Sequence, residues 1–171
     1  QSLEMAVTEQ LTGLQNRRYM NGQLSALVTR ATMGGEPVAA LLIDIDHFKK
    51  INDNYGHDVG DEVLREFALR IASNVRAIDL PCRYGGEEFV VIMPDTNVES
   101  AARVAERIRN NVAGSPFRVQ SGAELLTVTI SLGVAATTGE GDTPAALLKR
   151  ADEAVYAANA QGRNKVCARA A

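Results

Sequence analysis

Apolar and polar positions alternate between helical and extended periods along most of the chain. From Asn16 to Thr32 the spacing predicts a helix, with Leu24, Leu27 and Val28 on one face, broken by Gly34, Gly35 and Pro37. Val38 to Ile45 is apolar throughout until Asp44, the pattern of a strand buried on both faces. Phe48 to Gly56 reads as a short polar segment. Leu64, Phe67, Ala68, Ile71, Ala72 and Val75 then recur at helical spacing, with Arg65, Glu66, Arg70 and Asn74 opposite them. Asp61 stands near the start of that helix, where a carboxylate can accept backbone N–H bonds.

Leu80 to Tyr84 and Glu87 to Met93 predict two strands joined at Gly85-Gly86, glycines suited to the positive φ angles of a tight hairpin. Pro94 and Asp95 stop the second strand. Ala101, Val104, Ala105, Ile108 and Val112 mark another amphipathic helix. Leu126, Val128, Ile130, Leu132 and Val134 alternate with small polar residues and glycine, the period of a strand. Thr143 to Ala160 returns to helix, with Pro144 in its first turn, and Asn164 to Ala168 forms a closing edge strand. The fold class is therefore α+β, with a ferredoxin-like βαββαβ core plus an added helix and edge strand. Such a core sets the first strand beside the second arm of the hairpin, which brings Asp44 towards Glu87.

Composition adds limits. The 171 residues suit one domain, with 46% apolar and 23% charged residues, a globular mix. A net charge of -3 argues against a polymeric nucleic acid as partner, so phosphate binding must rest on a few local groups. No apolar run reaches membrane-spanning length. Cys82 and Cys167 read as free thiols in a reducing cytoplasm. The chain opens on Gln1, so a further N-terminal part is expected, with residues 1–10 as a linker from it and 11–171 as the domain itself.

Two acidic clusters carry the candidate chemistry: Asp44 with Asp46 at a strand end, and Glu87 with Glu88 after a turn. Converging carboxylates repel one another unless protonated or bridged by a cation. Mg²⁺ suits such oxygen ligands and favours sites shared with phosphate. Each cluster by itself is equally readable as solvated residues at a strand terminus.

Arg83-Tyr84-Gly85-Gly86-Glu87-Glu88-Phe89 resembles the signature of the GGDEF family of diguanylate cyclases, in its GGEEF form. Further blocks match in order: Leu11-Thr12-Gly13-Leu14, Asp44-Ile45-Asp46-His47-Phe48-Lys49, Asn52-Asp53, Gly56-His57-Asp58-Val59-Gly60-Asp61, Ala151 to Tyr156, and Gly162-Arg163-Asn164. The resemblance covers nearly the whole chain and extends to response-regulator members, which implies a receiver-type regulatory domain upstream. It implies condensation of two GTP into cyclic di-GMP, at a two-metal site shared by a head-to-head homodimer. The implied metal ligands are Asp44, the carbonyl of Ile45, Glu87 and Glu88, for two Mg²⁺ or Mn²⁺. The implied catalytic set is Glu88, Lys49, Gly85 and Gly86, the glycines admitting the nucleotide close to the backbone. Asn52 and Asp61 would select guanine. The amides of His47, Phe48 and Lys49, with the Lys49 and Arg163 side chains, would hold phosphates. His47 and His57 have no partner at nucleophile or metal spacing and receive no chemical role as side chains.

Arg76-Ala77-Ile78-Asp79 resembles the family's RxxD inhibitory site for cyclic di-GMP, with Arg107 in support. The bland alternative is an Arg at a helix end beside a turn-forming Asp. Two positions depart from the family pattern: Asn159, where a Lys is usual, and Glu9, where an Asp is usual. They sustain a rival expectation, a weak or inactive domain that binds cyclic di-GMP as a receptor.

Overall fold

The computed structural model describes residues 7–169. Among them five helices and seven strands follow the order Arg17–Thr32 (α1), Ala39–Ile45 (β1), Phe48–Tyr55 (α2), His57–Ser73 (α3), Leu80–Arg83 (β2), Glu88–Met93 (β3), Val98–Gly114 (α4), Phe117–Val119 (β4), Glu124–Leu126 (β5), Ile130–Ala136 (β6), Pro144–Ala160 (α5) and Lys165–Arg169 (β7), with α2 counted among the helices. The main sheet runs β2-β3-β1-β6-β7. β1 pairs antiparallel with both β3 and β6, and β7 adds in parallel at the edge. This is the ferredoxin-like strand order with one added strand.

β1 is central because its sequence suits burial on both sides. Leu41, Ile43 and Ile45 join a core with Val63, Phe67 and Ile71 of α3 and Ala105, Ile108 and Val112 of α4. Ala40 and Leu42 face Met20, Leu24 and Val28 of α1 and Leu147, Ala151 and Val155 of α5. Each large apolar side chain so buried contributes roughly 1.5–3 kcal/mol. Phe67 and Phe89 meet edge to face at 4.9 Å, which locks α3 onto β3. Gly133 on β6 permits close seating of α5, since a Cβ there would lie 2.1 Å from the Ala151 carbonyl oxygen. Asn16, Asn97 and Thr143 cap α1, α4 and α5 by accepting from Tyr19, Ser100 and Ala146 N–H groups.

Four expectations need correction. Residues 48–55, expected as a polar segment, form α2; its only buried residue is Phe48, too little to show a helical period. Residues 117–126 hold a separate two-stranded hairpin, turned through Gln120, Ser121 and Gly122 at positive φ. The alternation from Leu126 to Val134 therefore crosses from β5 to β6, because Leu126, Val128 and Ile130 all face the same core. At the GGEEF turn, neither Gly85 nor Gly86 has positive φ; Tyr84 and Glu87 also lie outside the strands, so the loop is wider than a two-glycine turn. Asp61 lies beyond the first turn of α3, which starts at His57 after Gly56 and has no side-chain cap.

Residues 7–10, expected within a linker, pack on the domain. Thr8 bridges Gln15, and the Asn16 N–H donates to the Val7 carbonyl. Residues 1–6 lie outside the described residues.

Candidate active site

The sheet register brings the two acidic clusters together. Asp44 pairs across the strands with Glu88, and the Ile45 N–H faces the Glu87 carbonyl at 3.5 Å. Burial pushes the Asp44 carboxyl up to about 7, reinforced by the charges of Glu87, Glu88 and Asp46. Burial likewise raises Glu87, with Glu88 adding to the effect while a bond with Asp44 opposes it. Asp44 Oδ1 is buried and has no hydrogen-bond partner. A buried partnerless carboxylate oxygen, on a residue that feels the charges of two further carboxylates, has the donor chemistry that a hard divalent cation takes, so these residues fit Mg²⁺. Asp44, Glu87 and Glu88 do not by themselves close a three-ligand cage: among the described residues no group of three His, Cys, Asp or Glu side chains gathers in ligating geometry. Completion by the Ile45 carbonyl and by phosphate oxygens suits Mg²⁺, which shares its sites with phosphate.

Asp46 behaves differently. Its carboxylate accepts from Thr129 Oγ1 (2.8 Å), Ser131 Oγ (2.7 Å) and the Asn164 N–H (3.0 Å). It is a scaffold element beside the cluster rather than part of it.

The GGEEF turn is anchored from behind. Arg83 donates to the Gly86 carbonyl through Nε (3.2 Å) and Nη2 (2.7 Å), and pairs with Glu9 at 3.0 Å. Glu9 also accepts from Leu11 N–H, Thr12 N–H and Thr12 Oγ1. The substituted Glu9 thus ties the opening segment to the turn, a contact that the spacing of the two motifs, 74 residues apart, does not reveal. Gly85 is constrained by its neighbour, since a Cβ there would lie 2.9 Å from Glu88 Oε1, whereas a Cβ on Gly86 would meet nothing within 4 Å. The protein alone therefore leaves open space over Gly86, and a side chain there would not break the turn.

Next to the carboxylates, α2 starts at His47 in the left-handed conformation with no side-chain cap. Its first-turn N–H groups carry the positive end of the helix dipole. Lys49 is exposed and paired with Asp53 at 3.0 Å. Asn52 Oδ1 is buried without a partner, in space that exists because residue 60 is glycine: a Cβ on Gly60 would sit 1.9 Å from it. Asp61 follows on α3, half-buried. Arg163 (φ 68) is exposed and lines, with Tyr156, Asn159 and Ala160, a cleft of about 340 Å³.

A second polar cavity of about 390 Å³ is lined by Arg76, Asp79, Asn74, Thr96 and Arg107, among others. Arg76 grips the buried Asp79 through Nε (3.1 Å) and Nη2 (2.7 Å), and Nη2 also reaches the Pro94 carbonyl and Thr96 Oγ1. Arg107 donates to the side chain and carbonyl of Asn74. The three residues singled out as an inhibitory set do line one cavity, but Arg76 and Asp79 are already paired with each other.

Residues 6–165 match the family model described as diguanylate cyclase, GGDEF domain. The chain is 75% identical over 170 residues to the response regulator PleD of Caulobacter vibrioides, covering 99% of this chain and 37% of PleD. It thus spans little more than a third of that relative. Among solved structures, the GGDEF domain of DgcB from Caulobacter crescentus in complex with c-di-GMP superimposes with a TM-score of 0.90 at 36% identity, covering 95% of this chain and 93% of that one. The active GGEEF domain of a diguanylate cyclase from Vibrio cholerae gives 0.82 at 36% identity, over 93% and 97%. With its GGEEF turn, its strand order and matches along nearly its whole length, this chain belongs to the diguanylate cyclase GGDEF-domain family.

Proposed function

We propose that this domain is a diguanylate cyclase that condenses two GTP molecules into cyclic di-GMP. The observation that carries the reading is the Asp44–Glu87–Glu88 cluster, with its partnerless Oδ1, beside an uncapped helix start and an intact GGEEF turn. In each of two steps the 3′-hydroxyl oxygen of one GTP bonds to the α-phosphorus of the other. The bond to the β-phosphate side breaks, pyrophosphate leaves, and the hydroxyl proton passes to a base. Glu88, which is exposed, would take that proton or assist the second metal. Asp44, the Ile45 carbonyl, Glu87 and Glu88 would hold Mg²⁺, which when bound stabilises the attacking and leaving oxygens.

The remaining residues bind and orient. Asn52 and Asp61 select guanine, because a carboxylate accepts from its N1–H and amino group whereas adenine offers an acceptor at N1. A mismatched base would leave these groups unpaired, and such readout discriminates strongly. The amides of residues 47–49 cradle outer phosphates, with Lys49 and Arg163 supplying charge. Gly86 leaves the space into which the nucleotide fits.

One domain holds one GTP, so turnover needs two domains facing each other with antiparallel substrates. The full-length protein carries a receiver-type domain upstream that sets this encounter, and works in the cytoplasm. Cyclic di-GMP inhibits by entering the cavity of Arg76, Asp79 and Arg107. Asn159 favours one rival, a receptor with weak turnover, since the cleft beside Arg163 has an uncharged amide where the family usually has an ammonium.

Concentrated protein stripped of bound nucleotide, incubated with GTP and Mg²⁺ alongside Glu88→Ala, tests the reading by mass-resolved chromatography. Cyclic di-GMP from the wild type alone, with specific activity rising with protein concentration, is the expected result. No product at high concentration, from protein that binds added cyclic di-GMP, replaces the enzyme by the receptor.

A further inference from the structure

We propose that Asp46 is a positioning residue for phosphate binding: it clamps the Arg163–Asn164 backbone so that the Arg163 guanidinium stands over the phosphate cleft. The inference rests on the cyclase reading of that cleft and adds a residue to it.

Asp46 is only 6% exposed, and both carboxylate oxygens are used. Oδ1 accepts from Ser131 Oγ, while Oδ2 accepts from Thr129 Oγ1 and from the Asn164 N–H. Its own N–H donates to the Thr129 carbonyl at 2.9 Å. The first three bonds span three parts of the fold: the end of β1, the start of β6, and the loop between α5 and β7. The last of these lies 118 residues away in sequence.

That loop needs holding. Gly162, Arg163 and Asn164 have φ of 111°, 68° and 48°, and two of the three are not glycine. Successive non-glycine residues in the left-handed region persist only where surrounding contacts over-determine them. Asp46 supplies one such contact at the Asn164 N–H. Arg109 of α4 supplies another, donating to Asn164 Oδ1 at 2.9 Å, and is itself fixed by Glu106 through two bonds. With residue 164 pinned at its amide and its side chain, the chain direction at residue 163 is set. Arg163 forms no ion pair among the described residues, so the clamp acts on it through the backbone that carries its side chain. Its placement matters more here because Asn159 gives the cleft no second charge.

A carboxylate that merely stabilises the sheet end would show the same burial, so the test must separate the two roles. Steady-state kinetics with GTP and Mg²⁺ on Asp46→Ala, Asp46→Asn, Arg109→Gln, Arg163→Ala and the double variant Asp46→Ala/Arg163→Ala does this. Asp46→Ala is expected to raise KM roughly tenfold to a hundredfold with a much smaller change in kcat. Asp46→Asn recovers most of that loss, since its amide oxygen still accepts from Asn164 while its NH₂ turns to the Ser131 hydroxyl. Arg109→Gln, which removes the contact to the Asn164 side chain, shifts KM the same way by less. The double variant binds GTP no worse than Arg163→Ala alone, because Asp46 acts through Arg163. Losses that multiply in the double variant, or a fall in kcat with KM unchanged in both Asp46→Ala and Arg109→Gln, overturn the proposal. Amide exchange of residues 162–165, read without nucleotide, is expected to accelerate in Asp46→Ala and Arg109→Gln but not in Asp46→Asn. Unchanged exchange in both overturns the clamp even if wild type makes no cyclic di-GMP, an outcome that by itself sinks only the functional reading.

Discussion

The two polar sites of this domain are built on opposite plans. At the GGEEF end, Asp44 Oδ1 and Asn52 Oδ1 are buried without partners, and Asp44 is crowded by like charges. At the Arg76 end every feature is closed on itself: Asp79 takes three donations from Arg76, whose guanidinium also bonds Pro94 and Thr96. An unpaired buried oxygen costs on the order of 1–3 kcal/mol, which a ligand that supplies the missing partner returns. The first site therefore has unused bonding capacity, which on the proposed function metal and nucleotide would fill. In the second, a ligand must displace or share existing bonds, so it gains only the difference. The Arg76 guanidinium, half exposed, can turn outward, while the fully buried Asp79 cannot follow.

The sharpest way to break the comparison is Asp44→Asn. Turnover is expected to fall by about 10³-fold or more, as when a charge-stabilising group is removed from a reacting centre. The metal-free domain should nevertheless melt higher, because a repelled carboxylate has gone, and lower melting would refute the contrast. The same carboxyl sets a pH dependence. Its folded-state value of about 7 exceeds the ordinary 3.8, so the folded state binds the extra proton between those limits. Metal-free stability accordingly falls as pH rises from about 4 to about 7. Mg²⁺ competes with that proton, so apparent Mg²⁺ affinity rises over the same window. Calorimetric melting and Mg²⁺ titrations at pH 5, 6, 7 and 8 check both signs.

Asp61→Ala should cut the preference for GTP over ATP by about 10²-fold, read as a ratio of kcat/KM values. At the closed site, Arg107→Ala should raise the cyclic di-GMP inhibition constant roughly tenfold, by loss of a charge-assisted contact. Arg76→Ala should do so too, but with a stability loss of about 1–3 kcal/mol, because the buried Asp79 loses both guanidinium bonds and keeps the backbone N–H of residue 76. Equal inhibition of wild type and both variants would remove the second site from the account. The smallest effect is expected from Asn159→Lys, which should lower KM for GTP by about threefold, the worth of one exposed charge on a phosphate. An unchanged KM would show that Arg163 alone suffices there.

Much of the fold was legible because long amphipathic periods survive in the sequence. The helices at 17–32, 57–73, 98–114 and 144–160 and the buried strand β1 carry runs of apolar residues that only one period fits. α2 escaped notice because it buries Phe48 alone. The 117–126 hairpin escaped because its apolar residues continue the alternation of β6 into the same core. The candidate site was legible as motif blocks, and the strand order brought Asp44 to Glu87 and Glu88 as the βαββαβ pattern implied. The roles of Glu9 and Arg109 were not legible, since ion pairs and side-chain bonds between distant segments leave no periodic trace.

Asp44 and Asp46 show where the boundary lies. Their positions, the strand they end and the family they mark follow from local spacing and short motifs, which depend on nearby residues. Their different roles do not. Asp44 meets carboxylates from across the sheet, whereas Asp46 meets two hydroxyls and an amide that lie 83, 85 and 118 residues farther along. The same residue type, two positions apart, becomes a proton-holding carboxyl or a fixed strut according to what the folded chain sets against it. That choice is electrostatic and long-range, and only the tertiary structure makes it.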